Sequence, residues 1–495
     1  MPEKSEKSPI LLIQPKTGSW DVMGARLPQG LLSIAALPHM HGYPVKIFDQ
    51  RMEQDWQKRL LEVLAQKPIV VAMSVMTGKQ IQYALEVSQF VKDHSSAKIV
   101  WGGIHPTLFP DQTIAHRLID MVLMYDGEFS FLELIQALEK GDSLKNIKGL
   151  CWKDKGVSVK NQERPFANDL EQIPELPYNL VDMKKYYGLN LTGQRSMVVT
   201  TSRGCPYRCT FCVIPTLNRK GWKALKAETV VQRIKALKEK YDIHDFYFQE
   251  DNFATDILRF RRICELLVQE NIAISWGTLG IRADTLYRMP DDMIELMYKS
   301  GCRNIDVGVE SGSPRMLKLM KKDEDVGVFT LANRKLAKYS IVMKYTFVVG
   351  YPTETEDDLQ MSISLAMRLQ EENKNAYTPF FTATVYPGTE FFEFALHNGW
   401  KMPKTLEEWA AFDFSDPTRE SHFWLTEKQL KQFECLSFTS FFANKNIKTK
   451  FGNPLLRAIL YLYNPIARFR FRHLFYNFFI EKRLEKILLS AIHVT

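Results

Sequence analysis

The sequence predicts an α/β protein with a doubly wound sheet domain, a second region of repeated β/α units, and a helical C-terminal region. Two successive alternations of short apolar runs with helix-spaced stretches predict the first two parts, and the loss of any strand pattern beyond about residue 390 predicts the third. The composition of the 495 residues agrees, with 45% hydrophobic and 25% charged residues, 25 Gly and 23 Pro. It excludes collagen-like, low-complexity and wholly disordered classes. At roughly 150 residues per domain the length allows two to four domains. A net charge of +8 is too mild to imply nucleic acid. Seven cysteines, an odd number, argue against a disulfide framework and for a reducing compartment. The N-terminal MPEKSEKSPILLIQP holds too short an apolar run for a signal peptide, and no run of the ~18 apolar residues needed for a span follows. A cytoplasmic chain without a membrane span is expected.

In the first region, residues 9–14 read as a short strand buried on both faces. Residues 27–37 have helical spacing, His41-Gly-Tyr-Pro44 breaks it, and residues 45–49 give a second strand. The pattern repeats through a helix over 53–66, a strand over 69–74, a helix over 79–93 and a strand over 98–101. A Gly102-Gly103 turn, a strand at 120–125 and a helix from Ser130 complete a domain over 1–140. Open sheets of this kind bind ligands beyond the carboxyl ends of their strands, here at Ser74-Val-Met-Thr77 and Gly102-Gly-Ile-His105. The glycine pair by itself fits a tight turn equally well. Residues 141–195 read as a connector, with a hairpin turning at Lys155-Gly156 and an aperiodic polar stretch over 165–177.

A strand at 196–202 is followed at once by Arg203-Gly-Cys205-Pro-Tyr-Arg-Cys209-Thr-Phe-Cys212. Three cysteines spaced x3 then x2 on one loop can converge on one centre, and thiolates suit zinc or iron–sulfur sites. A structural zinc site is closed by four protein ligands. No second Cys or His pair lies nearby, because Cys151, Cys264, Cys302 and Cys435 are scattered singly. A [4Fe–4S] cube held by three thiolates leaves one iron open to a substrate or cofactor. Three unlinked structural cysteines are the bland alternative.

This loop, with Phe211 before its last cysteine, resembles the radical S-adenosylmethionine superfamily. The preceding α/β domain and Gly102-Gly-Ile-His-Pro-Thr107 resemble the cobalamin-binding-domain branch of that superfamily, so the resemblance covers about residues 8–395. It implies a flavodoxin-like cobalamin-binding domain followed by a partial (β/α)6 TIM-like barrel over 196–390. Strand-like runs at 245–249, 272–278, 304–309, 342–349 and 378–386 fit six such units. Functional residues of barrels sit at the carboxyl ends of strands, where this chain has Cys205, Cys209 and Cys212, then Glu250-Asp251-Asn252, Arg282 and Asp284, Glu310-Ser-Gly312 and Gly350.

The resemblance assigns the three cysteines to a [4Fe–4S] cluster whose open iron chelates S-adenosylmethionine. It places Phe211 beside that cofactor, gives its amino group to Glu250 or Asp251, its carboxylate to Arg282, its ribose to Glu310 and its adenine to the backbone of Gly350. An ordinary strand-end salt bridge or turn is the bland alternative for each. Cobalamin is implied at Ser74, Thr77, Gly102, Gly103 and His105. The D-x-H-x-x-G motif of a lower-ligand histidine is absent, since Asp93-His94 has the wrong spacing. The implied reaction is radical methylation of an unactivated carbon, with a low-potential flavodoxin or ferredoxin as electron donor. Radical cyclisation or rearrangement, a cobalamin-independent radical enzyme, and a non-catalytic iron–sulfur or zinc module are the rivals.

The C-terminal region over 391–495 is helical in pattern, with Trp400, Trp409, Phe412 and Trp424 interspersed through 391–450. Residues 451–495 hold seven Lys/Arg against two acids and nine aromatics. Such a stretch fits peripheral contact with an anionic membrane, and a helical cap over the barrel fits equally. Arg/Phe alternation can also stack on RNA bases, but nothing resembles an appended nucleic-acid module. The membrane alternative implies a lipophilic substrate such as a terpenoid or hopanoid, a tetrapyrrole pigment or another lipid; the cap alternative leaves a soluble peptide or natural-product precursor. Chain length and domain order resemble enzymes of hopanoid and bacteriochlorophyll modification.

Overall fold

A computed structural model of the protein describes residues 7–18, 21, 26–166, 169–189, 194–412, 422–444 and 454–476. The chain divides into two compact units. One comprises residues 1–188, 216–225 and 396–416, and the other residues 189–215, 226–395 and 417–495.

The first unit is built on seven strands, β1 (Ile10–Gln14), β2 (Val45–Asp49), β3 (Val70–Ser74), β4 (Lys98–Gly102), β5 (Met121–Leu123), β6 (Leu150–Asp154) and β7 (Val157–Lys160). Their order is β2-β1-β3-β4-β5-β6-β7, parallel through β5 and antiparallel beyond it. This is the flavodoxin-like doubly wound order, with its switch point between β1 and β3. Burial explains the unbroken apolar runs: Leu11, Leu12 and Ile13 of β1 and Val70 and Val71 of β3 are inaccessible on both faces. Leu12, Val70 and Val100 meet Leu31 and Ala35 of helix Gln29–Met40 and Phe131 and Leu134 of helix Glu128–Lys140 in one core. The 150–160 hairpin, expected inside a connector, instead pairs with β5 and extends this sheet. Its buried residues Leu150 and Cys151 tie it there.

The second unit carries parallel strands in the order Arg195–Val199, Asp245–Phe248, Ser275–Thr278, Cys302–Glu310 and Val342–Val349. The sheet stays open, as a partial barrel does. Its expected sixth strand is split into Ala376–Tyr377 and Phe380–Thr382, both paired with Val342–Val349. Pro379 has no N–H to give a ladder, although its carbonyl accepts from Phe347 N at 3.0 Å. Along Val342–Val349, buried Met343, Tyr345, Phe347 and Val349 alternate with half-buried Lys344, Thr346 and Val348, so one face is packed and the other is partly open.

The expected C-terminal region does not behave as one body. Residues 396–416 belong to the first unit, where the buried Trp409 donates to Gln112 Oε1 at 2.8 Å and packs on Phe109. Helices Glu427–Ala443 and Pro454–Arg472 belong to the second. Residues 413–421, 445–453 and 477–495, parts of the expected helical stretches, lie outside the described residues.

Gly103 ends β4 with φ 96° and ψ −165°, a region that is essentially glycine-only. A Cβ there would also lie 2.9 Å from Val75 N. Gly103→Ala is expected to lower the unfolding free energy by about 1–3 kcal/mol, read by chemical denaturation of the cofactor-free protein. An unchanged midpoint would show that the turn relaxes freely.

Candidate active site

The cysteine loop is fixed from several sides within the second unit. Thr210 N donates to Met320 O at 2.9 Å, Thr210 O accepts from Phe391 N at 2.9 Å, and the Thr210 and Tyr351 hydroxyls lie 2.8 Å apart. Gly204 N donates to Asp251 Oδ2 at 2.8 Å, which ties the start of the loop to the end of the second strand. Cys205, Cys209 and Cys212 are half-buried free thiols close enough to feel one another's charge, and Phe211 is half-buried between the last two. Burial pushes the Cys212 thiol up to about 12, with Cys209 and Cys205 adding to it. Cys205 and Cys209 are raised by burial as well, while Arg282 and Lys322 pull both back. Thiols in that state need a cation to become thiolates, so binding a metal group here releases protons. Among the described residues no three His, Cys, Asp or Glu side chains are arranged to share a single metal ion.

The strand ends around this loop divide the expected contacts into two kinds. Glu250 is already satisfied: its Oε1 accepts from Thr201 N at 2.6 Å and Thr201 Oγ1 at 2.8 Å, and its Oε2 accepts from Ser202 Oγ. It braces the turn before the cysteines. Asp251 is exposed, accepts from Gly204 N through Oδ2, feels the charge of Arg203, and acts electrostatically on Cys205 and Cys212. Beside it, both amide atoms of buried Asn252 have no hydrogen-bond partner among the described residues.

Arg282 is engaged elsewhere than expected. Its donors reach Asp284 Oδ1 at 3.2 Å, Lys322 O at 3.0 Å and Asp323 O at 2.9 Å, and its guanidinium lies 3.8 Å from the Tyr207 ring centre. It clamps the cysteine loop and leaves little for a carboxylate. Lys322, which sequence reasoning missed, is a buried cation within electrostatic reach of Cys209. It is 7% exposed, with Nζ 3.3 Å from Glu310 Oε1 and 3.6 Å from Glu324 Oε2. Burial works to lower its pKa, but Glu310 and Glu324 raise it further and hold the ammonium charged. Glu310 reaches Lys322 through a bulge and a left-handed φ of 67°. A Cβ on Gly308 would collide with its carboxylate. That glycine, two residues before a strand-end Glu, was the one available signal.

Gly350 is left-handed, with φ 75°, but its backbone is covered by the chain itself. Its carbonyl accepts from Trp424 Nε1 at 2.7 Å, its N–H donates to Glu354 Oε2, and a Cβ there would lie 3.0 Å from the Phe433 ring. The close approach expected for an adenine is made here by Phe433 and Leu425.

In the first unit, the expected cobalamin residues are brought together. His105 N donates to Val75 O at 3.1 Å, Val75 N donates to Gly102 O at 2.8 Å, and His105 Nδ1 lies 3.1 Å from Thr77 Oγ1. Ser74 ends β3 next to the Gly103 turn. His105 is fully buried against Phe109 and Trp409, burial lowers its pKa to about 3, and its Nε2 has no partner among the described residues. Met76 and Ile104 expose apolar side chains at the same loops, 42% and 38% accessible.

Residues 199–366 match the Radical SAM superfamily model, and residues 24–135 match the B12 binding domain model. The chain therefore carries a radical S-adenosylmethionine domain preceded by a B12 binding domain. Among its relatives, an uncharacterized methyltransferase, PH0819, of Pyrococcus horikoshii is 29% identical over 447 residues, 89% of this chain and 94% of that protein. Cytidylyl-2-hydroxyethylphosphonate methyltransferase of Streptomyces wedmorensis is 24% identical over 81% of this chain and 84% of its own length. Anaerobic magnesium-protoporphyrin IX monomethyl ester cyclase of Synechocystis is 25% identical over 70% of each chain. The fold is shared with the cobalamin-dependent S-adenosylmethionine radical enzyme OxsB, solved with aqua-cobalamin and S-adenosylmethionine, at TM-score 0.75 and 18% identity over 99% of this chain and 75% of that one. It is also shared with the radical S-adenosylmethionine methyltransferase TsrM of Kitasatospora setae, solved with cobalamin and a [4Fe-4S] cluster, at TM-score 0.67 and 18% identity over 80% and 76%.

The loop after the fifth barrel strand carries a pH-sensitive group. Burial raises Glu354 from 4.5 to about 7, and its Oε1 lacks a partner among the described residues. Its folded value lies above its unfolded one, so its contribution is full below about pH 4.5 and is lost as pH rises through about 7. Glu354→Gln is expected to lose less stability than the parent between those limits, by up to about 3 kcal/mol. Parallel pH profiles from chemical denaturation would show no difference if Glu354 titrates normally.

Proposed function

We propose that the chain is a cobalamin-dependent radical S-adenosylmethionine methyltransferase acting on an unactivated carbon. The observation that carries this reading is the set of three half-buried thiols on one loop after a parallel strand, with Asp251 and the buried Lys322 ammonium within electrostatic reach. Cys205, Cys209 and Cys212 would hold a [4Fe–4S] cluster. Asp251 would take the ammonium group, Lys322 the carboxylate and Glu310 the hydroxyls of the bound cofactor. In the first unit Ser74 and Thr77 offer hydroxyls and Met76 and Ile104 an apolar surface for a corrin, with His105 kept as a neutral core side chain. When bound, the cluster and S-adenosylmethionine supply hydrogen abstraction from carbon, and cobalamin supplies the methyl group. A low-potential flavodoxin or ferredoxin would serve as reductant. Cyclisation is the second reading, because a cyclase stands among the relatives.

The open face of the second sheet supports a substrate that carries an anionic group. Asp306, Lys344 and Tyr377 are lateral neighbours across three strands. Lys344 Nζ lies 2.8 Å from Asp306 Oδ2, and Asn304 Nδ2 donates to Asp306 Oδ1 at 2.9 Å. Lys344 stays 32% exposed while Asp306 is buried. Spare ammonium donors suit an oxyanion, so a lipophilic substrate read here carries a carboxylate or phosphate, as a tetrapyrrole pigment or acidic lipid does. A terpenoid hydrocarbon does not match this face.

Anaerobic reconstitution with iron, sulfide and cobalamin is expected to give about four irons and one corrin per chain. Cys205→Ala should lose the iron and keep the corrin. Stoichiometric zinc without a cluster would overturn the reading, and four irons without corrin would remove its cobalamin half. In the reconstituted protein, Asp251→Asn and Lys322→Met should each weaken S-adenosylmethionine binding roughly tenfold by equilibrium dialysis. Glu250→Gln should mainly lower the thermal midpoint. Equal losses of binding for Glu250→Gln and Asp251→Asn would reject the division of roles between the two carboxylates.

A further inference from the structure

We infer that the outer face of helix Pro454–Arg472 is a docking surface for an anionic lipid membrane. The helix has two apolar sides. Leu460, Tyr463, Ala467 and Phe471 are buried on the inner one. Leu462, Ile466 and Phe469 are 72%, 52% and 58% exposed on the outer one, with Tyr461 at 62% beside them. Spacings of four and three residues put the first three on one line along the helix. Scattered exposed apolar residues need no explanation, but a continuous stripe does.

Charge identifies the occupant. The exposed Arg472 and His473 follow the stripe, and the His473 ring lies 4.6 Å from Phe469. Arg468 and Arg470 are turned inward, to Gln370 Oε1 and Ala443 O and to Phe475 O respectively. The sequence continues with Lys482, Arg483 and Lys486 against Glu481 and Glu485, and residues 451–495 as a whole carry seven basic side chains to two acids. Apolar and aromatic side chains on one face of a helix in a basic segment match an interfacial helix lying in the plane of an anionic bilayer. No described helix is long and apolar enough to cross one. The stripe is a ridge on a helix whose other side is packed, so a fluid interface can surround it without a preformed groove. This inference does not depend on the reaction the chain catalyses.

The test is flotation of the full-length protein with phosphatidylcholine vesicles that contain or lack phosphatidylglycerol. The protein is expected to float only with phosphatidylglycerol and to be released as salt is raised. The double variant Leu462→Ser/Phe469→Ser should lower the bound fraction at least tenfold while circular dichroism and the thermal midpoint stay unchanged, because neither side chain packs inward. Absence of binding to phosphatidylglycerol vesicles at low salt would overturn the proposal. So would a parent dimer that the double variant converts to monomer, which would assign the stripe to a second copy. Binding that survives the double variant but is lost when residues 477–495 are removed would move the membrane contact off this helix and also overturn it.

Discussion

The arrangement at the end of the second sheet depends on keeping buried charges paired. Lys322 and the side chain of Glu324 are almost inaccessible, and Glu310 and Arg282 are nearly so. A lone ion at that depth would be neutralised or would pull the structure open. The solution is a chain of compensation in which Glu310 and Glu324 flank Lys322 while Arg282 spends its donors on two backbone carbonyls and Asp284. Because those carbonyls belong to Lys322 and Asp323, and because Arg282 also covers Tyr207 between the first two cysteines, the charge cluster and the thiol loop hold each other in place. Removing one member of such a network costs more than the interaction it contributed, since the remaining charges stay buried.

This interdependence separates positioning residues from contact residues. Glu250 and Asp251 are consecutive carboxylates at one strand end, yet one is consumed by three donors of the preceding turn and the other accepts from Gly204 N and lies within electrostatic reach of the thiols. Arg282 and Lys322 are both held by partners of the chain itself, so they shape the loop together. Under the proposed function, the residue with capacity left over is the one that meets the ligand. The same distinction applies in the first unit. Gly103 is required by its backbone angles and by Val75, which is a demand of the fold alone.

Much of this was legible in the sequence, for physical reasons that differ by element. Strands β1, β3 and β4 were readable because parallel strands buried on both faces must be almost uniformly apolar, and the three thiols because their spacing on one loop needs no tertiary information. Lys322 was not readable, because a lysine in the run Lys321-Lys322-Asp323-Glu324 looks like a solvated surface turn until Glu310 is folded back toward it by a left-handed backbone. The fate of residues 396–416 was equally hidden. It rests on Trp409 finding Gln112 and Phe109 nearly 300 positions away, a contact that local periodicity does not encode. The connector hairpin was recognised as a hairpin but not as the edge of a sheet, since pairing to β5 is again a long-range choice.

The open face of the second sheet and the outer face of the C-terminal helix constrain the substrate from opposite directions. A lysine paired with a buried aspartate and still one-third accessible keeps further N–H donors open to solvent, which a carboxylate or phosphate would satisfy and a purely hydrocarbon ligand would leave unbonded. A stripe of Leu462, Ile466 and Phe469 left open to solvent makes equally poor sense for a chain that meets only small polar solutes. Under the proposed function and the proposed membrane contact, an amphipathic substrate with an apolar body and an oxyanion would suit both. On that reading acidic pigments and lipids are favoured over terpenoid hydrocarbons within the lipophilic class, because Lys344 keeps donors beyond the one it gives Asp306.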